Sequence, residues 1–143
     1  MITAIVSLMF LALLTVSMAH LAWSFGLTWP LRDEKLLAQT VVGTAGIERM
    51  PPRLMTFAVT VFLVVAMVVG TALGDHDSGG IGLTLAGLAF ALVFLGRGIV
   101  GYTGWWAART PEPSFRFNDR RVYSPLCLLL GAGFAALSIM RLL

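Results

Sequence analysis

Charge is scarce in this chain, and none of its seven Asp and Glu residues lies inside an apolar run. A cation placed within such a run therefore finds no acid on a neighbouring one. Cysteine is scarcer still. Cys127 stands alone, which excludes an internal disulfide and leaves no pair for thiol–disulfide exchange or a Cys-rich metal site. Histidine is confined to His20 and His76. Because His76 sits in a connection, paired-histidine haem ligation is not indicated, and a metal site would also lack intramembrane carboxylates and a second sulfur. No phosphate-binding glycine loop, nucleophile elbow or HExxH motif occurs, and Ser124 has no nearby base to single it out. Neither a metal nor a cofactor is expected. Internal repeats are absent too, which removes the inverted-repeat transporter pattern.

What remains is apolar. Over 143 residues the chain is 58% hydrophobic and 12% charged, with a mean hydropathy of +0.89, too apolar for a soluble domain of this size. Runs at about 2–25, 54–73, 81–106 and 122–140 are long enough, at ~1.5 Å per residue, to cross most or all of a hydrocarbon core of ~30 Å. The expectation is an all-α integral membrane protein, an antiparallel four-helix bundle forming one domain over residues 1–143. Ser17-Met18-Ala19 has the small residues of a signal-peptidase site, but no basic segment precedes the apolar run, so the first run is read as a retained helix.

Basic residues set the expected orientation. Arg32, Lys35, Arg49 and Arg53 fall in the first connection and Arg109, Arg116, Arg120 and Arg121 in the third, whereas the second, at 74–80, has none. The formal charge of +3 thus reports topology rather than nucleic-acid binding, since the basic residues flank apolar spans and lie in no aromatic-basic module. The positive-inside rule places the first and third connections in the cytoplasm and both termini outside, in a multi-pass protein of the cell inner membrane. The short Gly- and Asp-rich second connection joins neighbouring antiparallel helices. Within the first, Asp33-Glu34 form a helix start, and apolar residues recur at helical spacing up to Thr44. That stretch is either a solvated linker or a helix that lies on the membrane surface or dips into the mouth of the bundle.

Arg97 is the residue that calls for explanation. Its guanidinium keeps its proton at any accessible pH, yet it interrupts the third apolar run. Its partner must be a loop carboxylate folded inward, backbone carbonyls, water, a lipid phosphate or a bound anion. Read as one helix to Trp106, the run puts Arg97 ~13 Å deeper than that tryptophan, from where the side chain could also snorkel. All four tryptophans, Trp23, Trp29, Trp105 and Trp106, and both tyrosines, Tyr102 and Tyr123, gather at the same expected end. Two readings are open: a one-sided interfacial belt, or rings lining a cytoplasm-facing pocket. His20 shares that end, either as a hydrogen-bonded structural residue or as part of a site. The glycines and alanines of the last two runs are read as close-packing positions.

Three segments resemble a known family: His20-x-x-Trp23-x-Phe25-Gly26-x-x-Trp29, Phe94-Leu95-x-Arg97-x-Ile99, and Phe117-Asn118-Asp119-x-x-Val122-Tyr123-Ser124-Pro125-Leu126-Cys127-Leu128. Together they are similar to the bacterial family of small four-helix membrane proteins catalogued as domain of unknown function number 3995. The resemblance spans nearly the whole chain and implies the fold without an activity. It departs after Gly26, where Leu27-Thr28-Trp29-Pro30 replace a second glycine and Trp-Gly, and again through the rest of the first connection.

In the third block, Asn118 or Asp119 suits a helix or turn start, and Pro125 suits the first turn of the fourth helix. The block either caps and anchors that helix or turns Asp119 inward to Arg97, joined by His20 and Tyr123. Candidate ligand-binding residues are therefore Arg97, His20, Trp23, Trp29, Tyr102, Asp119, Tyr123 and Ser124. Three functions follow. The leading one is a non-enzymatic protein that binds or helps transport a small anionic ligand or lipid headgroup around Arg97. The second is an accessory subunit or assembly factor of a larger membrane complex, or a homo-oligomer. The last is a membrane enzyme using His20.

Overall fold

The structure, a computed structural model, describes every residue except His76 and Ser78, so the expected placement of His76 in the second connection lies outside the described residues. Apolar runs become helices because a bilayer interior offers backbone amides no partner but one another. Their order is α1 (Ile2–Ser24), α2 (Glu34–Val41), α3 (Arg53–Leu73), α4 (Gly80–Val100), α5 (Gly104–Arg109), α6 (Pro113–Asn118) and α7 (Ser124–Met140), with a π-helical turn at Asp119–Tyr123 joining α6 to α7. Among the described residues, four helices are long and apolar enough to cross a membrane: α1, α3, α4 and the continuous Pro113–Met140.

α1 packs chiefly on α3, and α4 on α7. One apolar core joins the two pairs, with Met9 and Leu13 from α1, Leu63, Ala66 and Leu73 from α3, Ala91 and Phe94 from α4, and Leu130, Phe134 and Leu137 from α7. Phe134, fully buried, lies nearly parallel to Phe94 at a centroid distance of 5.7 Å and 5.4 Å from Phe90. Small residues bring α4 and α7 together. A Cβ at Gly98 would come 2.6 Å from Leu128, and one at Gly131 would come 2.6 Å from Leu95, the close approach on which membrane helices rely for dispersion contact. Gly96 and Gly104 have open space instead and take no part in this contact.

The bundle has two unlike ends. At one, Val6 of α1 lies against Gly74, and Arg141 reaches back to the Asp75 carbonyl and to Thr84 Oγ1 at 3.3 Å. The beginning of the chain, its end and the α3–α4 turn thus meet there. The other, the loop end, carries α2, α5, α6 and the first and third connections.

Two boundaries of the spanning helices differ from the sequence expectation, and both shape the loop end. The third spanning helix stops at Val100 rather than continuing to Trp106. Tyr102 N donates to Ile99 O at 3.0 Å and Thr103 N to Val100 O at 2.9 Å, a tightening that closes the helix. Thr103 then caps α5, its Oγ1 accepting from Trp106 N at 3.2 Å. The run holds no proline, and its glycines read equally well as packing positions, so the break is not evident in sequence. The fourth spanning helix begins at Pro113, not near Val122. Pro113 takes the first helical position, and Asp119 continues the helix instead of starting it. There the π turn bonds Ser124 N to Asp119 O, and Pro125, with no N–H to donate, follows directly on the wider turn.

α2 starts as the sequence implies, with Asp33 Oδ1 accepting from Leu36 N at 2.8 Å. It stops at Val41 rather than Thr44, because the chain turns at Gly43 with φ +75°. Its contact is with α6; Leu37 and Ala38 are fully buried, and the Phe115 ring fills the space a side chain at Gly43 would need.

Candidate functional site

The break after Val100 redirects the chain into α5 and brings the Trp106 ring onto Arg97. The guanidinium carbon lies 4.9 Å from the centroid of the Trp106 ring, a cation–π distance. Arg97 Nη2 donates to Asp119 Oδ1 at 2.7 Å, and Nη1 makes a longer contact of 3.4 Å to Ser124 Oγ. Ser124 Oγ donates to the same Asp119 oxygen at 3.1 Å, and Trp106 Nε1 donates to Oδ2 at 3.0 Å. Asp119 is entirely buried, so its carboxylate oxygens rely on these three donors in place of water. Arg97 keeps 31% of its side chain accessible. The pair is monodentate, not a planar two-bond fork, because the second carboxylate oxygen belongs to Trp106.

Gly101 makes the cluster possible. A Cβ there would collide with Ser124 Oγ and lie 3.1 Å from Asp119 Oδ2. The π turn serves the same end: its wider winding brings Asp119 and Ser124, five positions apart in sequence, onto one face, with both side chains on Arg97. Tyr102 joins the surrounding clasp by donating to Arg120 O at 3.1 Å.

Of the candidates, Arg97, Asp119 and Ser124 thus meet directly, and Tyr102 closes over the same end. Tyr123 goes elsewhere, donating to Thr40 O at 3.2 Å and packing 5.9 Å from Phe115, which fastens α2 to the bundle. His20 does not join the cluster either. Its Nδ1 lies 2.9 Å from Val16 O and its ring 4.9 Å from Trp23, a local arrangement on α1. Trp23 Nε1 donates to Trp29 O at 2.7 Å. Trp106 is the member that sequence reasoning missed, since a straight third helix would carry it away from Arg97.

A second feature occupies the loop end. A cavity of about 270 Å³ opens between the end of α1 and the start of α3, lined by Trp23, Gly26, Leu27, Glu34, Pro52 and Arg53 among others. Of the sequence candidates, Trp23 lines it and Arg97 does not. Gly26, at φ +85°, lets the Arg53 guanidinium lie where a side chain would otherwise stand, 2.9 Å from an added Cβ. Glu34 is held by Met50 N, which donates to its Oε1 at 3.1 Å. Arg53 has no ion pair or hydrogen bond among the described residues. Nothing in the local sequence links these positions; the first connection brings them together. No group of three or more His, Cys, Asp or Glu residues that could hold a metal ion occurs among the described residues.

Four apolar helices of spanning length, closed at one end over an Arg–Asp pair whose carboxylate is buried, define a small multi-pass membrane protein. Residues 13–134 match the family model described as protein of unknown function (DUF3995), and the chain belongs to that family. No curated protein and no solved structure matches it.

Proposed function

We propose that this is a non-enzymatic ligand-binding protein of the bacterial inner membrane, its loop end in the cytoplasm, that takes up the anionic group of a small molecule or lipid headgroup. The sequence drew attention to Arg97 as the anchoring cation. That guanidinium already faces the fully buried Asp119 at 2.7 Å, so a further anion there would compete with a carboxylate held by two other donors. The Arg97 cluster is better read as a clamp that fastens α4, α5 and the fourth span. The anchor assigned here is Arg53.

One observation carries this reading: a guanidinium without a protein partner among the described residues stands in a cavity walled by Trp23 and Pro52. Arginine forks onto carboxylate and phosphate oxygens, and aromatic walls with a few placed polar groups are the usual make-up of small-molecule sites. The orientation rests on the eight basic residues of the first and third connections, all at the loop end. Native mass spectrometry of the protein extracted from its membrane tests the reading. An anionic adduct retained by the wild type and lost in Arg53→Gln supports it, and equal adducts in both proteins contradict it.

A second reading, an accessory subunit or self-associating protein, is favoured by one face of α4. Gly82, Ala89 and Gly96 are exposed at seven-residue intervals, the spacing of a helix–helix seam.

A further inference from the structure

The cavity beside α3 carries one cation and one anion that do not meet. Lys35 and Glu48, in the same connection, close to 3.1 Å although both are well exposed. Glu34 and Arg53 share a cavity of about 270 Å³, yet they form no ion pair. Each is placed by a different contact. Met50 N fixes Glu34 through Oε1 alone, which leaves the other carboxylate oxygen without a protein donor among the described residues. The turn at Gly26 gives Arg53 its room. Trp23, on the same wall, has its indole N–H committed to Trp29 O at 2.7 Å, which fixes the orientation of its ring.

We infer that this cavity holds a small zwitterion, its anionic group on Arg53 and its ammonium on Glu34 beside the Trp23 ring; the inference rests on the ligand-binding reading above. A purely anionic ligand would lie against the Glu34 carboxylate, and a purely cationic one against Arg53. A molecule carrying both charges satisfies each wall. A phosphate or carboxylate accepts from guanidinium, and an ammonium is drawn both to a carboxylate and to an aromatic face. The volume falls below the ~300–1,000 Å³ of sites that bury drug-sized ligands, so the occupant is short. Its place between the end of one spanning helix and the start of another is headgroup depth. Phosphoethanolamine has this chemistry, either as a phospholipid headgroup or as the free molecule.

The test uses the full chain in detergent, titrated with dihexanoyl phosphatidylethanolamine, with dihexanoyl phosphatidylglycerol as an anion lacking the ammonium, and with free phosphoethanolamine. The wild type should prefer the ethanolamine lipid by roughly tenfold, the effect of one charge-assisted contact. Glu34→Gln keeps an oxygen for Met50 N and so spares the local fold, but it should erase the preference and leave the glycerol lipid bound. Arg53→Gln should weaken both lipids, and Arg53→Lys should restore part of the binding. Free phosphoethanolamine binding as tightly as the lipid would support a soluble zwitterion as the occupant, and weaker binding would support the lipid. Equal affinity for the two lipids, unaffected by Glu34→Gln, overturns the zwitterion while leaving an anion site at Arg53. Absence of binding by all three probes overturns both.

Discussion

Arg97 of α4 and Asp119 of the π turn lie 2.7 Å apart at the loop end of the bundle, and each accounts for the other's placement. The guanidinium cannot shed its charge, and the carboxylate is cut off from solvent, so removal of either leaves the other without its counter-charge. Arg97→Leu and Asp119→Asn should each lower stability by about 3–5 kcal/mol. The double variant should lose clearly less than the sum. Thermal or denaturant unfolding in detergent checks this, and additive losses would contradict the pair.

Arg97→Lys separates the clamp from a snorkelling side chain. Lysine reaches headgroups as well as arginine does, but it cannot contact Asp119, Ser124 and the Trp106 face together. The clamp predicts a loss of about 1–3 kcal/mol. An unchanged melting temperature would favour snorkelling.

Trp106→Phe keeps a ring for Arg97 and removes the donor to Asp119 Oδ2. A buried carboxylate oxygen left without its partner should cost about 1–3 kcal/mol. Trp105→Phe, at an exposed ring that contacts Arg109, should cost less in the same melt.

Two glycine substitutions on one stretch of chain should diverge. Gly101→Ala places a methyl group against Ser124 Oγ and should destabilise by at least ~1–3 kcal/mol through overpacking. At Gly96, where an added Cβ meets nothing within 4 Å, alanine should be neutral or stabilise by up to ~1 kcal/mol. Circular-dichroism melts of both variants measure the contrast.

Topology is open to chemical labelling. In a Cys127→Ser background, which should accumulate normally because that thiol lies outside the Arg97 hydrogen bonds, a membrane-impermeant thiol reagent applied to intact cells should reach Asp77→Cys and not Glu48→Cys. The reverse pattern would turn the loop end outward.

The spans were legible because bilayer length and apolar composition leave few alternatives; the ends of α1 and α3 fall within a residue of the apolar runs that signal them. The inward pairing of Arg97 was legible as an open alternative, since every acid lies in a connection and Asp119 is the one that enters the fourth span. The rest depends on tertiary geometry. Gly101 and Thr103 end a helix inside a run that has no proline to mark the break, so Trp106 looked distant from Arg97 when its ring lies against the guanidinium. The π turn has no pattern in sequence, because an extra residue in one turn changes neither composition nor hydropathy. His20 and Tyr123 look equally able to reach the cluster until their actual acceptors, Val16 O and Thr40 O, are seen. The cavity is invisible in the sequence because Gly26, Glu34 and Arg53 share no periodicity and meet only when the first connection folds.

Arg97 and Arg53 serve two separate tasks, and crossing their variants in one binding measurement tests that division. Arg97→Lys and Arg53→Gln are compared with the wild type for their melting temperature and for capture of dihexanoyl phosphatidylglycerol by native mass spectrometry. Arg97→Lys should melt lower yet keep the adduct, and Arg53→Gln should melt as the wild type does and lose it. A folded Arg97→Lys protein that has lost the adduct, beside an Arg53→Gln protein that retains it, would contradict the account and return the ligand to Arg97.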